Sequence, residues 1–186
     1  MSLILASSSP RRKELLTLLG FPFSVEAANI DEKIDPTGDL PEEIEKLSFR
    51  KALAIFKKHP KDIVIGADTI VVCNRQVLGK PKTEENAQNM LRQLSGHVHE
   101  VITGVSILSP RQSESFSVLS RVFFQKMTEE EILSYVQSKE PLDKAGAYAI
   151  QGIGGRYIKG IEGDYYAIMG LPICELYARL KEYNIS

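Results

Sequence analysis

The hydrophobic positions of this chain recur with two different periods, which predicts a mixture of helices and strands. Residues 3–6 form a short apolar run typical of a buried strand, and leucines recur at helical spacing in the segment that follows. A serine before Pro10 can cap that helix, and Gly20 is placed to end it. The predicted helices begin at Pro10, Pro41, Thr83, Thr128 and Pro172; the predicted strands lie at 3–6, 21–25, 99–108 and 115–124, with a hairpin over 62–81 whose tip is Asn74–Arg75.

Glycine is concentrated late in the chain. Seven of the thirteen glycines lie between residues 146 and 170, which predicts short strands, tight turns and backbone that closely approaches a neighbour. The sequence shows no repeat, linker or low-complexity tract. Because 186 residues with 43% hydrophobic content suit one globular domain with a sizeable core, we predict an α/β or α+β domain over 1–186.

Charge and composition exclude several classes of protein. A net charge of −1 provides no global positive field for nucleic acid or acidic lipid. The first residues lack the basic segment of a signal peptide, and no apolar run is long enough to span a bilayer. We therefore expect a cytoplasmic protein, without a nucleic-acid or membrane partner, in which Cys73 and Cys174 are buried free thiols.

An arginine pair stands at the electrically positive end of the first predicted helix. Arg11 and Arg12 fall in its first turn, where two later predicted helices carry glutamates. Cations there forgo or oppose about 0.3–1 kcal/mol of helix-dipole stabilisation. Free helix N–H groups, two guanidiniums and the serines at 7–9 together suit a phosphate chain. The alternative is that both arginines are solvated or pair with surface carboxylates.

Two further charged residues interrupt apolar patterns. Asp68 lies inside the run IVIGADTIVV, where a buried carboxylate needs a cation, a metal ion or hydrogen bonds. Backbone N–H groups at a strand bend are the alternative partners. Lys51 falls on the apolar face of the helix predicted from Pro41, where snorkelling towards solvent is the alternative.

Two polar segments add candidates for phosphate and metal binding. Lys80 stands at a strand end after a glycine, and Asp31–Glu32 lies in a polar loop; each can also be simply hydrated. Taken together, four basic residues, at least two acids and the glycine-rich segment predict a polyphosphate site that holds Mg²⁺. This ion typically binds through one or two carboxylates and substrate phosphates.

Other catalytic patterns are missing from the sequence. Gly79–Lys80 lacks the remaining residues of a P-loop, and GIGG at 152–155 does not match the dinucleotide fingerprint. His97 and His99 are too close in sequence for a usual zinc pattern, and His59 lies in a basic turn. The G-x-S-x-G elbow of many hydrolases does not occur.

A series of short motifs resembles the Maf family from residue 3 to the GLP segment. The motifs are SSSPRRKELL at 7–16, DE at 31–32, KA at 51–52, GADT at 66–69, GKP at 79–81, LSGxxH at 94–99, TGV at 103–105, AGAYxIQG at 145–152 and GLP at 170–172. So many matches in order make the resemblance specific. Asp164 and Ala167 depart from it, since many members carry Ser and Asn there, which puts any role of that loop in doubt.

The resemblance implies a nucleoside triphosphate pyrophosphatase, in which water attacks the α-phosphorus to give a nucleoside monophosphate and pyrophosphate. It implies an elongated α/β domain, similar to the inosine triphosphate pyrophosphatases, with a mixed twisted sheet flanked by helices and a cleft between two lobes. A homodimer and a divalent metal ion are also implied, Mg²⁺ first, with Mn²⁺ and Co²⁺ as alternatives.

The resemblance also assigns expected roles to single residues. Asp68, Glu32, Lys51 and Lys80 are the expected catalytic residues, Ser8, Arg11, Arg12, Thr69 and Gln151 the expected substrate-binding residues, and Glu32 and Asp68 the expected metal ligands. Whether Asp68 acts as base or as metal ligand stays open.

Arg11, Thr69 and Gln151 resemble the branch that acts on dTTP and UTP. The Gln151 amide agrees in part, because it can donate to a pyrimidine O4 and accept from N3–H. Modified pyrimidine triphosphates are further candidate substrates.

The sequence leaves two other functions open. A nucleotide-responsive regulator of cell division or stress needs the same basic site but not Asp68, and it binds nucleotides without hydrolysing them. A nucleic-acid-binding protein that uses the basic turn at 57–61 together with Arg11 and Arg12 is disfavoured by the near-neutral charge.

Overall fold

The computed structural model describes residues 1–183 and 185, which form a mixture of helices and strands. The helices are α1 (Pro10–Thr17), α2 (Leu40–Phe56), α3 (Glu84–Leu94), α4 (Glu129–Gln137), α5 (Tyr165–Met169) and α6 (Ile173–Leu180). The strands are β1 (Leu3–Leu5), β2 (Phe23–Val25), β3 (Ile63–Cys73), β4 (Gln76–Leu78), β5 (Val98–Leu108), β6 (Ser113–Phe124) and β7 (Ile158–Glu162). Among the described residues, no helix combines the length and apolarity that a membrane crossing requires.

The seven strands form one mixed sheet. Their order is β2-β1-β3-β5-β6-β7, and β4 pairs with β3 outside that path. Strand β1 is parallel to both β2 and β3, whereas the β3–β4 and β6–β7 pairs are antiparallel. The α/β class with a mixed sheet and flanking helices is thereby confirmed. The elongated outline, the cleft and the single domain over 1–186 stay predictions.

The chain divides into two compact units. The first contains residues 1–68, 103–118 and the chain from 170 onward, and the second contains residues 69–102 and 119–169. Each unit has its own cluster of buried apolar side chains. Ile4, Val64, Leu108 and Ile55 belong to the cluster of the first unit, and Leu91, Val122, Phe124 and Tyr135 to that of the second.

Two strand glycines allow α2 to lie directly on the sheet of the first unit. A Cβ atom on Gly66 would overlap the carbonyl oxygen of Ser48, and one on Gly104 would lie 2.6 Å from the carbonyl oxygen of Ile44. Both obstacles are backbone atoms of α2, so these positions have no room for a side chain. Strand β3 and the helix that carries Lys51 therefore approach each other closely.

Local capping chemistry sets the predicted helix starts. Ser9 caps α1 with Pro10 as the first helical residue, Thr83 caps α3, and Thr128 caps α4 in a complete capping box with Glu131. The predicted hairpin tip is also confirmed. Asn74 and Arg75 have φ of 50° and 63°, which are the positive values that a tight two-residue turn requires.

The glycine-rich segment has the predicted tight turns and a short strand, and it also contains a helix that was not predicted. It contains 3-10 turns at Ala145–Ala147 and Ile153–Tyr157, the strand β7 and the helix α5. Asp164, which departs from the Maf pattern, has a local reason to be there. Its Oδ1 accepts hydrogen bonds from the N–H groups of Tyr166 and Ala167 at 2.7 and 3.2 Å and so stabilises the start of α5.

The cysteine prediction was half right. Both thiols are free, and Cys73 is buried, but Cys174 is exposed. The run LPIC is apolar in sequence, yet its last residues enter α6, whose buried positions are Leu176 and Leu180. Helical periodicity therefore turns Cys174 to the outer side.

Candidate active site

The parallel register of β1 and β3 positions the start of α1. Leu5 lies opposite Ile65, and the Ala6 N–H donates to the carbonyl oxygen of Ile65 at 2.7 Å. The serine turn that follows β1 therefore leaves the sheet beside the part of β3 that ends in Asp68. The helix N-terminus and the interrupted strand, which the sequence predicts to share a polyphosphate site, are neighbours in the first unit.

The Arg12 guanidinium is held from two sides. Its Nε donates to the carbonyl oxygen of Gly170 at 2.8 Å, and its Nη1 donates to Oγ of Ser7 at 3.5 Å. The hydroxyl of Ser9 accepts the backbone N–H of Arg12 at 3.4 Å as the cap of α1. The sequence carries no signal for Gly170 as a partner of Arg12, because the two residues are 158 positions apart along the chain.

The charges of two carboxylates act on the pKa of the Arg12 guanidinium. Burial lowers the pKa of Arg12 and so does the charge of Arg11, whereas the negative charges of Asp68 and Glu32 raise it. The arginine pair is thus a local concentration of positive charge, Arg12 interacts electrostatically with Asp68 and Glu32, and it is half-buried rather than fully solvated.

Lys51 brings the two predicted acids together. Only 7% of Lys51 is exposed, and its Nζ contacts Glu32 Oε1 at 2.7 Å and also contacts Oδ2 of Asp68. Asp68 is 16% exposed at its side chain and Glu32 59%. Lys51 therefore does not snorkel, and Asp68 has a buried cation beside it. We call Lys51, Asp68, Glu32 and Arg12 the Lys51 cluster.

Arg50 holds the loop that carries Glu32. Its Nη1 donates to the carbonyl oxygen of Asp31 at 3.1 Å, and its Nη2 donates to that of Lys33 at 2.6 Å. The guanidinium therefore binds the backbone on both sides of Glu32, in a segment without regular secondary structure. Sequence reasoning missed Arg50, because an exposed arginine next to Lys51 carries no periodic signal.

The donor set of the Lys51 cluster fits a hard divalent cation. One carboxylate oxygen of Glu32 and one of Asp68 contact the Lys51 ammonium, so two oxygen ligands already lie beside a positive charge. The described residues contain no group of three or more His, Cys, Asp and Glu side chains arranged to hold a metal ion. Two carboxylates completed by phosphate oxygens suit Mg²⁺, whereas they do not suit a softer metal that prefers nitrogen or sulfur.

The remaining predicted site residues belong mainly to the second unit. Thr69 is half-buried in β3, Lys80 is exposed after β4, and Gln151 is exposed in a turn. That turn is closed by a hydrogen bond from Gly152 N–H to the carbonyl oxygen of Ala149 at 3.4 Å. Ser8 and Arg11 lie in the first unit, where Ser8 is exposed and Arg11 half-buried.

His99 belongs to the core rather than to a metal site. It is 1% exposed, its Nε2 lies 2.8 Å from the hydroxyl of Tyr148, and its ring packs edge-on against Phe124 and Tyr148. Burial lowers the pKa of His99 to about 4, so the imidazole is neutral at pH 7.

The fold and the cluster are those of an α/β protein that brings basic and acidic side chains together beside an interior strand of a mixed sheet. The chain belongs to the Maf family: the model described as Maf-like protein matches residues 2–183. The resemblance seen in the motifs is thereby confirmed.

Named relatives extend over nearly the whole chain. A dTTP/UTP pyrophosphatase of Geobacillus sp. (strain WCH70) is 50% identical over 179 residues, which are 96% of each chain. A dTTP/UTP pyrophosphatase of Bacillus cereus (strain G9842) is 46% identical and covers 99% of this chain and 96% of its own. The Ham1 protein of Staphylococcus aureus has a similar fold, with a TM-score of 0.51, 18% identity and coverage of 98% of this chain and 99% of that chain.

Proposed function

We propose that this protein is a nucleoside triphosphate pyrophosphatase that hydrolyses dTTP and UTP, and modified pyrimidine triphosphates, to the monophosphate and pyrophosphate. The observation that carries the proposal is the Lys51 cluster, in which a buried ammonium and two carboxylates lie in electrostatic range of Arg12. Relatives that are 46–50% identical over nearly the full chain and carry the name dTTP/UTP pyrophosphatase support it.

Substrate binding is assigned to the basic groups and the serine turn. Arg11 and Arg12 offer guanidinium forks to the triphosphate at the N-terminus of α1, and Ser8 adds a hydroxyl donor. Lys80 contributes a further ammonium. Each charge neutralised on the triphosphate stabilises the pyrophosphate that leaves, because the new negative charge develops on its bridging oxygen.

Hydrolysis is assigned to the acids of the cluster. A water molecule attacks the α-phosphorus, the bond from that phosphorus to the bridging oxygen breaks, and pyrophosphate departs. Asp68 takes the proton of the water; in the alternative role it would be a ligand of the divalent ion. Glu32 and Asp68 would hold the divalent ion, Mg²⁺ first with Mn²⁺ and Co²⁺ as alternatives, which when bound supplies Lewis-acid stabilisation of phosphate charge.

Base recognition is assigned to Gln151 together with Thr69. The Gln151 amide donates to O4 and accepts from N3–H of uracil or thymine, so both of its functions are used. We also propose that the protein is cytoplasmic and acts as a homodimer.

Product analysis over a nucleotide panel tests this function. The parental protein is expected to release pyrophosphate from dTTP and UTP with Mg²⁺, and parallel assays with Mn²⁺ and Co²⁺ rank the metals. Asp68→Asn should lower kcat by at least about 100-fold while nucleotide binding survives, since it removes the proton acceptor or ligand. Asp62→Asn is the matched control, because Asp62 accepts a hydrogen bond from Ser2 N–H at the start of the same segment, outside the cluster.

Two results would contradict the proposal. Pyrophosphate release by Asp68→Asn at the parental rate would remove Asp68 from the reaction. Nucleotide binding by the parental protein without turnover, across all three metals, would instead favour the regulatory alternative.

A further inference from the structure

The turn that carries Gln151 lies between two points of attachment in the second unit. Residues 149–152, which we call the Gln151 turn, have no helix or strand under them, and Gln151 itself is exposed. An exposed residue on such a turn has no packing of its own to fix its position. Something else must hold the backbone on both sides if Gln151 is to read a base edge.

Tyr135 on α4 binds the turn at its first residue. The ring is completely buried, and its hydroxyl accepts the Ala149 N–H at 3.2 Å. The same hydroxyl donates to Oε1 of Glu140 at 2.7 Å. A buried tyrosine hydroxyl is therefore used both as acceptor and as donor, which links the turn to a carboxylate.

Glu140 binds the chain directly after the turn. Its Oε2 accepts the Ile153 N–H at 2.9 Å, and its Oε1 accepts the Gly154 N–H at 3.0 Å. With the Tyr135 hydroxyl, this carboxylate receives three hydrogen bonds from protein donors. Bonds to an ionised acceptor are stronger than neutral ones, so the attachment after Gln151 is firm.

Two glycines make this arrangement sterically possible. A Cβ atom on Gly152 would overlap the carboxylate of Glu140, and one on Gly154 would overlap the hydroxyl of Tyr135 and lie 2.9 Å from the carbonyl oxygen of Ala149. The chain thus passes so close to the two side chains that no Cβ fits. Part of the glycine enrichment between 146 and 170 is explained by this contact.

We propose that Tyr135 and Glu140 are positioning residues for pyrimidine selectivity, because they hold the backbone on both sides of Gln151. The inference rests on the proposed function, in which Gln151 reads the O4 and N3–H edge. Neither residue touches the base in this proposal; each acts through the position of the Gln151 turn. A purely structural pair would stabilise the second unit without affecting the choice of nucleotide.

The test compares UTP with CTP, which differ only at the base edge assigned to Gln151. Tyr135→Phe keeps the buried ring and removes the hydroxyl, so the Gln151 turn loses one attachment. The KM for UTP should then rise about five-fold, the loss expected when one hydrogen bond from Gln151 to the base is misaligned. The ratio of kcat/KM for UTP over CTP should fall by a similar factor, with kcat changed less than about two-fold. Tyr157→Phe is the matched control, because its buried ring lies beside Tyr135 and its hydroxyl bonds elsewhere: it accepts from Nη2 of Arg156 and donates to the carbonyl oxygen of Glu131.

A double-mutant cycle separates positioning from general damage. In a Gln151→Ala background, Tyr135→Phe should leave the UTP/CTP ratio unchanged, since the residue through which it acts is gone. Glu140→Gln, which replaces one of the two acceptor oxygens with a donor, gives a second independent variant if Tyr135→Phe folds poorly. Equal losses for UTP and CTP, or a full additional loss in the Gln151→Ala background, would overturn the inference.

A binding assay keeps this inference distinct from the proposed hydrolysis. Calorimetry with non-hydrolysable α,β-imido analogues of UTP and CTP measures the same selectivity without turnover. If the parental protein prefers the UTP analogue and Tyr135→Phe loses that preference, the inference holds even where hydrolysis fails. If the parental protein hydrolyses UTP and Tyr135→Phe keeps the parental preference in both assays, the inference fails alone.

Discussion

In the first unit two of the candidate catalytic side chains, Lys51 and Asp68, project from regular elements, whereas in the second unit Gln151 stands on an irregular turn. Lys51 comes from α2 and Asp68 from β3, and backbone packing brings the two elements together. The Gln151 turn is held instead by backbone hydrogen bonds: the Ala149 N–H donates to the Tyr135 hydroxyl, and the Ile153 N–H, directly after the turn, donates to Glu140. Buried charges thus depend on the packing of the fold, while the proposed base reader depends on a few hydrogen bonds that can change without loss of the core.

The largest expected effect comes from removal of the ammonium of the Lys51 cluster. Lys51→Met leaves Asp68 beside Glu32 without the cation that both contact, so kcat should fall at least about 100-fold. The free energy of unfolding should fall by about 3 kcal/mol, the lower end for a broken buried pair, since Asp68 keeps some solvent contact.

Kinetics and urea unfolding measure both effects of Lys51→Met. Lys46→Met on the same helix is the control, because Lys46 forms exposed pairs with Glu42 and Glu43. Such pairs contribute less than about 1 kcal/mol. A Lys51→Met protein as active and as stable as the Lys46→Met protein would contradict the role given to the cluster.

Gly66 tests how far the first unit depends on backbone packing. In Gly66→Ala the new methyl group would meet the backbone of α2, so we expect a loss of about 2–3 kcal/mol in unfolding free energy. Gly160→Ala is the matched control, since a Cβ atom there has nothing within 4 Å. Chemical unfolding of both variants gives the comparison, and equal stabilities would show that α2 can move away from β3 at little cost.

His99 extends the contrast to pH, because the second unit buries a polar ring in its neutral form. The folded pKa of about 4 lies below the unfolded value near 6.5, so the unfolded state takes up the proton first as the pH falls. The stability contribution is complete above about pH 6.5 and is lost between about pH 6.5 and 4, by at most about 1.4 kcal/mol per pH unit.

His99→Gln should flatten this pH dependence, since the amide can still bond to the Tyr148 hydroxyl but does not titrate in this range. Urea unfolding at pH 7, 6 and 5 measures the difference between the parental and the variant protein. Parallel curves for the two proteins would contradict the buried neutral imidazole.

Arg50 should give the smallest effect, because it acts on Glu32 only through the loop. Arg50→Lys replaces a fork that bridges two carbonyl groups with a single ammonium, so kcat/KM should fall about three-fold. Arg92→Lys, which alters an exposed fork to Glu129 in the second unit, should leave kcat/KM unchanged. Steady-state kinetics measure kcat/KM for both variants, and equal values would contradict a role of Arg50 in positioning Glu32.

Short-range chemistry explains why much of this fold could be predicted. The caps Ser9, Thr83 and Thr128 bond to N–H groups three residues away, and the positive φ values at Asn74–Arg75 follow from a two-residue turn. Such signals involve neighbours in the chain, so they are visible in the sequence. Asp68 and Lys51 were also identifiable, because a charge in an apolar pattern requires a partner.

The identity of the partners depends on long-range geometry. The contact between Lys51 and Asp68 follows from the close packing of α2 on β3, and that between Arg12 and Gly170 joins opposite ends of the chain. The hydrogen bonds of Tyr135 and Glu140 to the backbone on both sides of Gln151 likewise have no periodic signal in the sequence. Local hydrogen bonding and burial thus fix which residues form elements and which charges need compensation. Strand register and helix packing determine which residue becomes the partner of each buried charge. Only they bring distant backbone segments within the few ångströms over which hydrogen bonds and ion pairs act.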